Sequence, residues 1–170
     1  MKHRYLITRI LAMLLVAVGV LLDQLSKIAA VEGLKNKSSF VLIDGVLQLT
    51  YHENRGAAFG ILSDARWVFL SISTVAIVAI LFYIFYKKDM PTLWLVSLSM
   101  IASGGIGNMI DRIALGYVVD FIYVALIDFA VFNIADCFVC VGVGLLIYLT
   151  VLDVIRETKA QKKQEAKSDE

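Results

Sequence analysis

Four long apolar stretches restrict what this chain of 170 residues can fold into more than any other feature of its sequence. They lie at residues 5–25, 67–86, 93–110 and 135–155. Each is near the length of roughly 20 apolar residues that a helix needs to cross the hydrocarbon core of a bilayer. Hydrophobic residues make up 59% of the chain and charged residues 18%, whereas average usage is about 45–50% and about 25%. The sequence therefore predicts an all-α membrane protein with four transmembrane helices, in a single domain at 1–158 followed by a polar tail at 159–170.

The distribution of Lys and Arg predicts the orientation of these helices. The N-terminus, the turn at 87–90 and the C-terminal tail together carry 10 of the 16 basic residues. Cytoplasmic segments of membrane proteins carry an excess of Lys and Arg. We therefore expect both termini in the cytoplasm, with the connections at 28–66 and 113–134 on the outer side.

The first apolar stretch has a second interpretation. A basic start, an apolar run at 10–22 and the small pair Ala29 and Ala30 also fit a secretory signal peptide. Asp23 and Lys27 lie between the run and that cleavage site, which favours a retained helix. Cleavage would leave the orientation of the other three helices unchanged.

The connection between the first two stretches contains a predicted β-hairpin. Two segments rich in β-forming residues, Phe40–Ile43 and 46–51, flank Asp44 and Gly45. An Asp-Gly pair readily adopts the positive φ angles of a tight turn. Because an isolated hairpin is marginally stable in water, we expect it to rest on the membrane surface or on the helices. The apolar connection at 113–134 is expected to lie at the membrane interface.

Polar side chains on three of the helices are expected at one depth in the membrane. With a rise of about 1.5 Å per residue, Asp23, Asn108 and Asp136 lie roughly 21, 24 and 30 Å from the cytoplasmic ends of their helices. Ionisable groups within a membrane are costly unless they are paired or hydrated, so they indicate a functional site by default. This site would lie near the outer leaflet.

Simpler roles for these residues stay open. Asp23 and Lys27 are four residues apart on one helix face, so they can form a salt bridge that only ends the helix. Asn133 and Asp136 also fit an ordinary helix start, with Asn133 as the N-cap. Asp120 is harder to explain structurally, because it is a lone carboxylate in an apolar stretch without a basic neighbour.

The residue inventory limits the chemistry of such a site. The chain has two histidines, His3 and His52, and two cysteines, Cys137 and Cys140, and their spacing does not fit a zinc site. The cysteines lie in an apolar run and are interpreted as small packing residues. A net charge of +1 gives no basic surface for nucleic acid. We expect neither metal nor cofactor, and catalysis by paired carboxylates, of which one keeps a proton at neutral pH.

Five segments of the chain resemble motifs of the lipoprotein signal peptidases, also called signal peptidase II. They are DQLSK at 23–27, NRGAAF at 54–59, GGIGNMIDR at 104–112, VDF at 119–121 and FNIAD at 132–136. They occur in the family's order and extend over most of the chain. The resemblance implies four transmembrane helices with a small extracytoplasmic β-cradle, in agreement with the predicted hairpin.

The resemblance also implies an activity. It is that of a bacterial intramembrane aspartyl endopeptidase, which cuts a prolipoprotein on the amino side of its diacylglyceryl-modified cysteine. The implied partners are such prolipoproteins and membrane lipids. The implied location is the bacterial cytoplasmic membrane, with the active site near the outer leaflet.

The motifs assign roles to particular residues. Asp120 and Asp136 match the family's catalytic pair. Positions that shape the site or hold substrate are matched by Asn54, Gly56, Asn108, Arg112 and Asn133. A motif that is both structural and substrate-binding is matched by Asp23 and Lys27. The family suggests no role for Cys137 and Cys140.

Two other classes of protein fit parts of the pattern. Intramembrane Asp, Asn and Arg residues also occur in proton-coupled transporters and small channels. A transporter would need polar groups along a path, whereas 75–82 and 142–149 are almost wholly apolar. A membrane scaffold in which the Asp residues only cap helices is the third interpretation.

Overall fold

The four apolar stretches form four helices in the computed structural model, which describes residues 2–56 and 66–168. The helices are α1 (Lys2–Leu34), α2 (Arg66–Tyr86), α3 (Thr92–Ala114) and α4 (Ile134–Ser168). Within these described ranges, each of the four is long and apolar enough to cross a membrane. Their outward faces carry exposed leucine, isoleucine and valine side chains. The predicted fold class of four apolar helices is confirmed.

Helix α3 lies at the centre of the bundle and packs against each of the other three helices. Between membrane helices the hydrophobic effect contributes little, so close packing of small residues must hold them together. Gly104 and Gly107 provide this on α3, because a Cβ atom at Gly104 would collide with the carbonyl oxygen of Ala135, and one at Gly107 with the carboxylate of Asp23. The glycine-rich segment of α3 therefore brings α1 and α4 close together.

Two helices extend further than their apolar stretches. Helix α1 continues to Leu34, because Asp23 and Lys27 are buried and bonded to other parts of the fold instead of ending the helix. Helix α4 continues through the polar segment after residue 155 to Ser168. That segment is rich in Ala, Lys, Glu and Gln, which are strong helix formers.

A small antiparallel sheet lies at the end of the bundle where α1 and α3 end and α4 begins. Its first two strands, β1 (Phe40–Ile43) and β2 (Leu47–Asn54), form the predicted hairpin. Gly45 in the turn has a φ angle of +65°, as the Asp-Gly pair indicates. The hairpin rests on α1, which contacts β2.

The third strand, β3 (Val118–Val124), pairs with β2 and completes the order β1-β2-β3. The expectation that this apolar connection lies at the membrane interface stays a prediction, and the sequence did not indicate a strand within it. The first four residues of β3 are buried, and Val119 donates its backbone N–H to Asp111 of α3. A single 3₁₀ turn at Ala125–Ile127 then leads towards α4. The strand fixes Asp120 between the sheet and the helices.

Candidate active site

Asp120 lies on β3 with only 1% of its surface exposed. Its Oδ1 accepts a hydrogen bond of 2.6 Å from Nδ2 of Asn133, and its Oδ2 accepts one of 2.9 Å from Nδ2 of Asn54. In the sheet it is paired with His52 of β2. Both carboxylate oxygens are therefore held by side-chain amides from two different parts of the chain.

Burial raises the pKa of the Asp120 carboxyl to about 7. The hydrogen bonds from Asn54 and Asn133 oppose this rise in pKa, whereas the nearby negative charge of Asp136 adds to it. A carboxyl group with this pKa can hold a proton and also release it near neutral pH. Such a group is suited to general acid–base chemistry.

Asp136 lies in the first turn of α4. Its Oδ2 accepts the backbone N–H of Asn133 at 3.1 Å, and its Oδ1 accepts Nδ2 of Asn108 at 2.8 Å. The N-terminal end of a helix carries a partial positive charge that stabilises a carboxylate. Asp136 is thus fixed in orientation by contacts to α3 and to the start of its own helix.

Two carboxamides connect the two aspartates. Nδ2 of Asn133 donates to Asp120 and also lies 3.0 Å from Oδ1 of Asn108. Nδ2 of Asn108 donates in turn to Asp136. The structure therefore joins β3, α3 and the start of α4 through a continuous chain of hydrogen bonds from one carboxylate to the other.

The predicted pair of Asp23 and Lys27 is present, with 2.9 Å between Nζ and Oδ2. Lys27 is buried, and its Nζ also contacts Oδ2 of Asp111 at 3.1 Å and Oδ1 of Asn108 at 2.9 Å. Asp23 further accepts the backbone N–H of Ala135 at 3.0 Å. This cluster ties α1 to α3 and α4, and the contact of Lys27 with Asn108 connects it to the aspartates.

Gly56 and Arg112 line the same cavity as Asp136. Arg112 donates to the carbonyl oxygen of Gly56 at 3.3 Å, and its guanidinium lies 5.0 Å from the ring centre of Phe69. The N–H of Gly56 is bonded to Oδ1 of Asn54 at 3.0 Å. Residues 57–59 of the NRGAAF motif lie outside the described residues.

A cavity of about 530 Å³ opens next to this group. The polar part of its wall consists of Asp136, Asn54, Gly56 and Arg112. The rest of its wall is mainly apolar and consists of Phe69, Phe129, Ala130, Val131, Phe132, Cys137 and Cys140. Asp120 is not part of the cavity wall and lies behind the Asn54 carboxamide.

One buried residue of the site, Asp111, was not among the site residues that the sequence predicted. Asp111 accepts hydrogen bonds from Val119 and Gln24 in addition to its contact with Lys27. Its place three residues after Asn108 in the GGIGNMIDR motif is the sequence feature that could have indicated it.

The interpretation of Cys137 and Cys140 as packing residues is incomplete, because Cys140 is exposed and both line the cavity. Within residues 2–56 and 66–168, no group of three His, Cys, Asp or Glu side chains could hold a metal ion.

Comparison with known proteins agrees with this architecture. A family model described as signal peptidase (SPase) II matches residues 15–152. A lipoprotein signal peptidase of Clostridium tetani is 43% identical over 141 residues, which cover 81% of this chain and 90% of that protein. One from Streptococcus thermophilus is 48% identical over 129 residues, which cover 75% and 84%.

A solved structure has the same fold. It is described as a bacterial membrane enzyme structure obtained by the in meso method at 2.3 Å resolution. It is 34% identical to this chain, with a TM-score of 0.79, and the match covers 84% of this chain and 88% of that one. Because the family match extends over most of the chain and includes the residues that build the site, this chain belongs to the signal peptidase II family, as its motifs predicted.

Proposed function

We propose that this multi-pass membrane protein is an intramembrane aspartyl endopeptidase. Its substrate is a prolipoprotein with a diacylglyceryl-modified cysteine, and it cuts on the amino side of that cysteine. The observation that carries the proposal is the pair of carboxylates, Asp120 and Asp136, joined through Asn133 and Asn108 beside an apolar cavity. The names of its bacterial relatives, lipoprotein signal peptidases, support the substrate class.

The apolar lining of the cavity is compatible with a substrate that carries an apolar group. Aromatic side chains such as Phe69 and Phe132 form much of its wall, and the cavity has Asp136 on one side. Acyl chains and the apolar part of a signal peptide would both contact such a wall. Arg112 adds one positive charge, which would interact with peptide carbonyl groups next to the scissile bond.

Asp136 acts as the base in the proposed reaction. Its position at the start of α4 favours the ionised form. It accepts a proton from a water molecule as the water oxygen attacks the scissile carbonyl carbon. A carboxylate held by two donors on fixed elements keeps the orientation that this step requires.

Asp120 acts as the acid. In the resting enzyme, the pair of carboxyl groups holds one proton, which is on Asp120. Asp120 donates this proton to the scissile carbonyl oxygen, giving a tetrahedral diol. Asp136 then transfers its proton to the leaving nitrogen as the C–N bond breaks, and the diol returns a proton to Asp120. The products are a signal peptide with a free carboxyl group and a lipoprotein whose lipidated cysteine has a free α-amino group.

Asn54 controls access to Asp120 in this mechanism. Its carboxamide lies between the Asp120 carboxyl and the cavity. Because catalytic contacts in a protein without substrate are often incomplete, we expect Asn54 to turn towards the substrate when it binds. Asn108 and Asn133 stay in place and hold the two carboxyl groups. Asp23 and Lys27 hold Asn108 from behind.

The proposed location is the bacterial cytoplasmic membrane, with both termini in the cytoplasm and the site near the outer leaflet. The excess of Lys and Arg at the end of the bundle away from the sheet supports this orientation. The transporter interpretation is less well supported, because the polar residues of the site lie at one end of the helices. A polar path through the basic half would be needed for transport.

Incubation of the purified protein with a diacylated prolipoprotein tests the proposal. Mass spectrometry should detect one intact signal peptide and a second product that begins with the lipidated cysteine. The matched control is the same prolipoprotein with an unmodified cysteine, which should be cut much more slowly. Cleavage at another bond, or equal cleavage of both substrates, would contradict the proposed specificity.

A further inference from the structure

A second pocket, of about 390 Å³, lies at the end of the bundle opposite the aspartates, between the start of α1 and the α2–α3 connection. This volume lies within the range of ligand pockets, roughly 300–1,000 Å³. Three basic side chains, Arg4, Arg9 and Lys88, line it together with one carboxylate, Asp89. The pocket therefore has an excess of positive charge.

Arg9 is the fixed element of this pocket. Its side chain is buried, with 2% exposed, and its guanidinium lies 4.6 Å from the ring centre of Tyr5. One terminal nitrogen contacts Oγ1 of Thr8 at 3.2 Å, and the other contacts the carbonyl oxygens of Lys87 and Lys88. Arg9 is thus held at the C-terminal end of α2.

The guanidinium of Arg9 has no counterion within residues 2–56 and 66–168. Among the residues that the structure describes, its Nε–H has no acceptor and no carboxylate forms an ion pair with it. A buried charge is costly unless it is paired. The pocket is therefore bordered by a preorganised, buried cation whose charge is not paired within the described residues.

The start of α3 adds to the positive potential. Met90, Pro91 and Thr92 line the pocket, and the N-cap residue Pro91 provides no side-chain cap for the first turn. The unbonded N–H groups of a helix start favour phosphate and other anions. Arg9 and this helix start border the same pocket from two different helices.

An apolar groove of about 260 Å³ continues from the pocket along the membrane-spanning part of α1 and α3. Thr8 and Thr92 border both the pocket and the groove. The groove itself is lined mainly by apolar side chains, including Leu11, Leu15 and Val96. A charged pocket that opens into an apolar groove matches the two parts of a phospholipid.

We propose that this pocket and groove bind one anionic phospholipid from the leaflet at the basic end of the bundle. The phosphate contacts Arg9, Arg4 and Lys88, and one acyl chain lies in the groove beside Val96. Basic pockets between helices at this end of membrane proteins suit anionic headgroups. A zwitterionic lipid binds more weakly, because its own cation would be repelled by the three basic side chains. The lipid supplies a counterion for Arg9 and holds α1 against the α2–α3 connection.

Native mass spectrometry of the full chain in a neutral detergent tests this proposal. Dioleoyl phosphatidylglycerol and dioleoyl phosphatidylcholine are added separately, so that only the headgroup differs. The wild type should retain one phosphatidylglycerol molecule, with an affinity roughly tenfold or more above that for phosphatidylcholine. Equal retention of the two lipids would overturn the proposal.

Two variants separate the pocket from general surface charge. Arg4→Gln with Lys88→Gln removes two exposed charges that form no ion pair among the described residues, so the protein should fold. This double variant should lose roughly tenfold in affinity for phosphatidylglycerol. Lys159→Gln with Lys162→Gln changes the net charge equally, outside the pocket, and should bind as the wild type does. An equal loss in both double variants would overturn the proposal.

The groove and the source of the phosphate are tested separately. Val96→Trp fills the groove without changing a charge and should weaken phosphatidylglycerol binding. Unchanged binding in this variant would contradict a lipid held by its acyl chain. Sodium phosphate should not displace phosphatidylglycerol, and complete displacement at millimolar concentration would identify a site for free phosphate instead.

Discussion

Asn133 and Asp136 cap each other at the start of α4. The backbone N–H of Asn133 donates to Oδ2 of Asp136 at 3.1 Å, and the backbone N–H of Asp136 donates to Oδ1 of Asn133 at 3.0 Å. This reciprocal arrangement is a capping box with Asn and Asp in place of the usual residues. The helix-start interpretation is therefore right, and the same contacts orient a carboxylate of the proposed dyad.

Two substitutions of Asn133 separate its capping from its contact with Asp120. In Asn133→Ser, the hydroxyl can still accept the Asp136 N–H, but the amide donor to Asp120 is lost. In Asn133→Ala, both contacts are lost, and the missing cap costs about 1 kcal/mol of stability. We expect both variants to lose prolipoprotein cleavage, and Asn133→Ala alone to lose this capping contribution.

Thermal unfolding in detergent and the cleavage assay together measure this difference. Ser38→Ala is the control, since Ser38 is exposed in the connection between α1 and β1, away from the site. If Asn133→Ser cleaves prolipoprotein as fast as the wild type, the contact with Asp120 has no catalytic role.

Replacement of either aspartate should stop the reaction while leaving the protein folded. General acid–base groups contribute roughly 10²–10⁴-fold to rates, so Asp120→Asn and Asp136→Asn should each lose at least about 10²-fold. Single-turnover cleavage of diacylated prolipoprotein measures the rate. A residual rate within about tenfold of the wild type, or about 1.4 kcal/mol of barrier, would remove that residue from the dyad.

Infrared spectroscopy of the same two variants tests the division of roles. The proposed mechanism assigns the resting proton to Asp120, although the two carboxyl groups titrate as a coupled pair. The protonated-carboxyl band should therefore disappear in Asp120→Asn and persist in Asp136→Asn. The reverse result would exchange the acid and the base.

The stability of the protein should depend on the titration of Asp120. The folded protein keeps the Asp120 proton up to about pH 7, whereas an unfolded chain releases it near pH 3.9. The folded state thus binds more protons between these values, and the free energy of unfolding falls as pH rises through this window. Asp120→Asn has no titrating carboxyl at this position, so its free energy of unfolding does not fall in this way. The melting temperature of Asp120→Asn minus that of the wild type should therefore increase from pH 5 to pH 8.

Melting temperatures at pH 5, 6, 7 and 8 test this difference. Asp44→Asn is the control, because Asp44 is exposed in the hairpin turn. Its melting temperature relative to the wild type should stay constant over the range. A constant difference for Asp120→Asn as well would show that Asp120 has the same pKa in the folded and unfolded chain.

Local patterns in the sequence were sufficient for the helices and the hairpin. Apolar length predicts the four spans, the Asp-Gly pair predicts the turn at Gly45, and the spacing of Asp23 and Lys27 predicts their salt bridge. Each of these depends on residues that are neighbours along the chain. The family motifs added the candidate site residues before their contacts were known.

Strand β3 and the extension of α1 could not be predicted in this way. A half-buried strand is recognised by alternating apolar and polar residues. The first four residues of β3 are all buried, so its sequence does not show this alternation. Asp23 and Lys27 interrupt the hydropathy of α1, and the partners that satisfy them, Asp111 and Ala135, come from other helices. The chain of hydrogen bonds between Asp120 and Asp136 likewise depends on tertiary contacts.

The proposed orientation can be tested with single cysteines in a variant that lacks Cys137 and Cys140. Ser38 lies in the connection between α1 and β1, and Lys88 in the turn between α2 and α3. In intact cells, a membrane-impermeant maleimide should label Ser38→Cys. It should label Lys88→Cys only after permeabilisation. The opposite pattern would place the aspartates at the cytoplasmic side.

The cysteines of α4 offer a chemical test of the cavity. Cys137 and Cys140 are the only cysteines of the chain, both line the cavity next to Asp136, and Cys140 is exposed. A bulky maleimide attached to Cys140 would occupy space that the substrate needs, so treatment of the wild type should abolish prolipoprotein cleavage. The variant with both Cys137→Ala and Cys140→Ala should cleave normally and resist the reagent. If the wild type is fully labelled at Cys140 and still cleaves, substrate does not bind in this cavity.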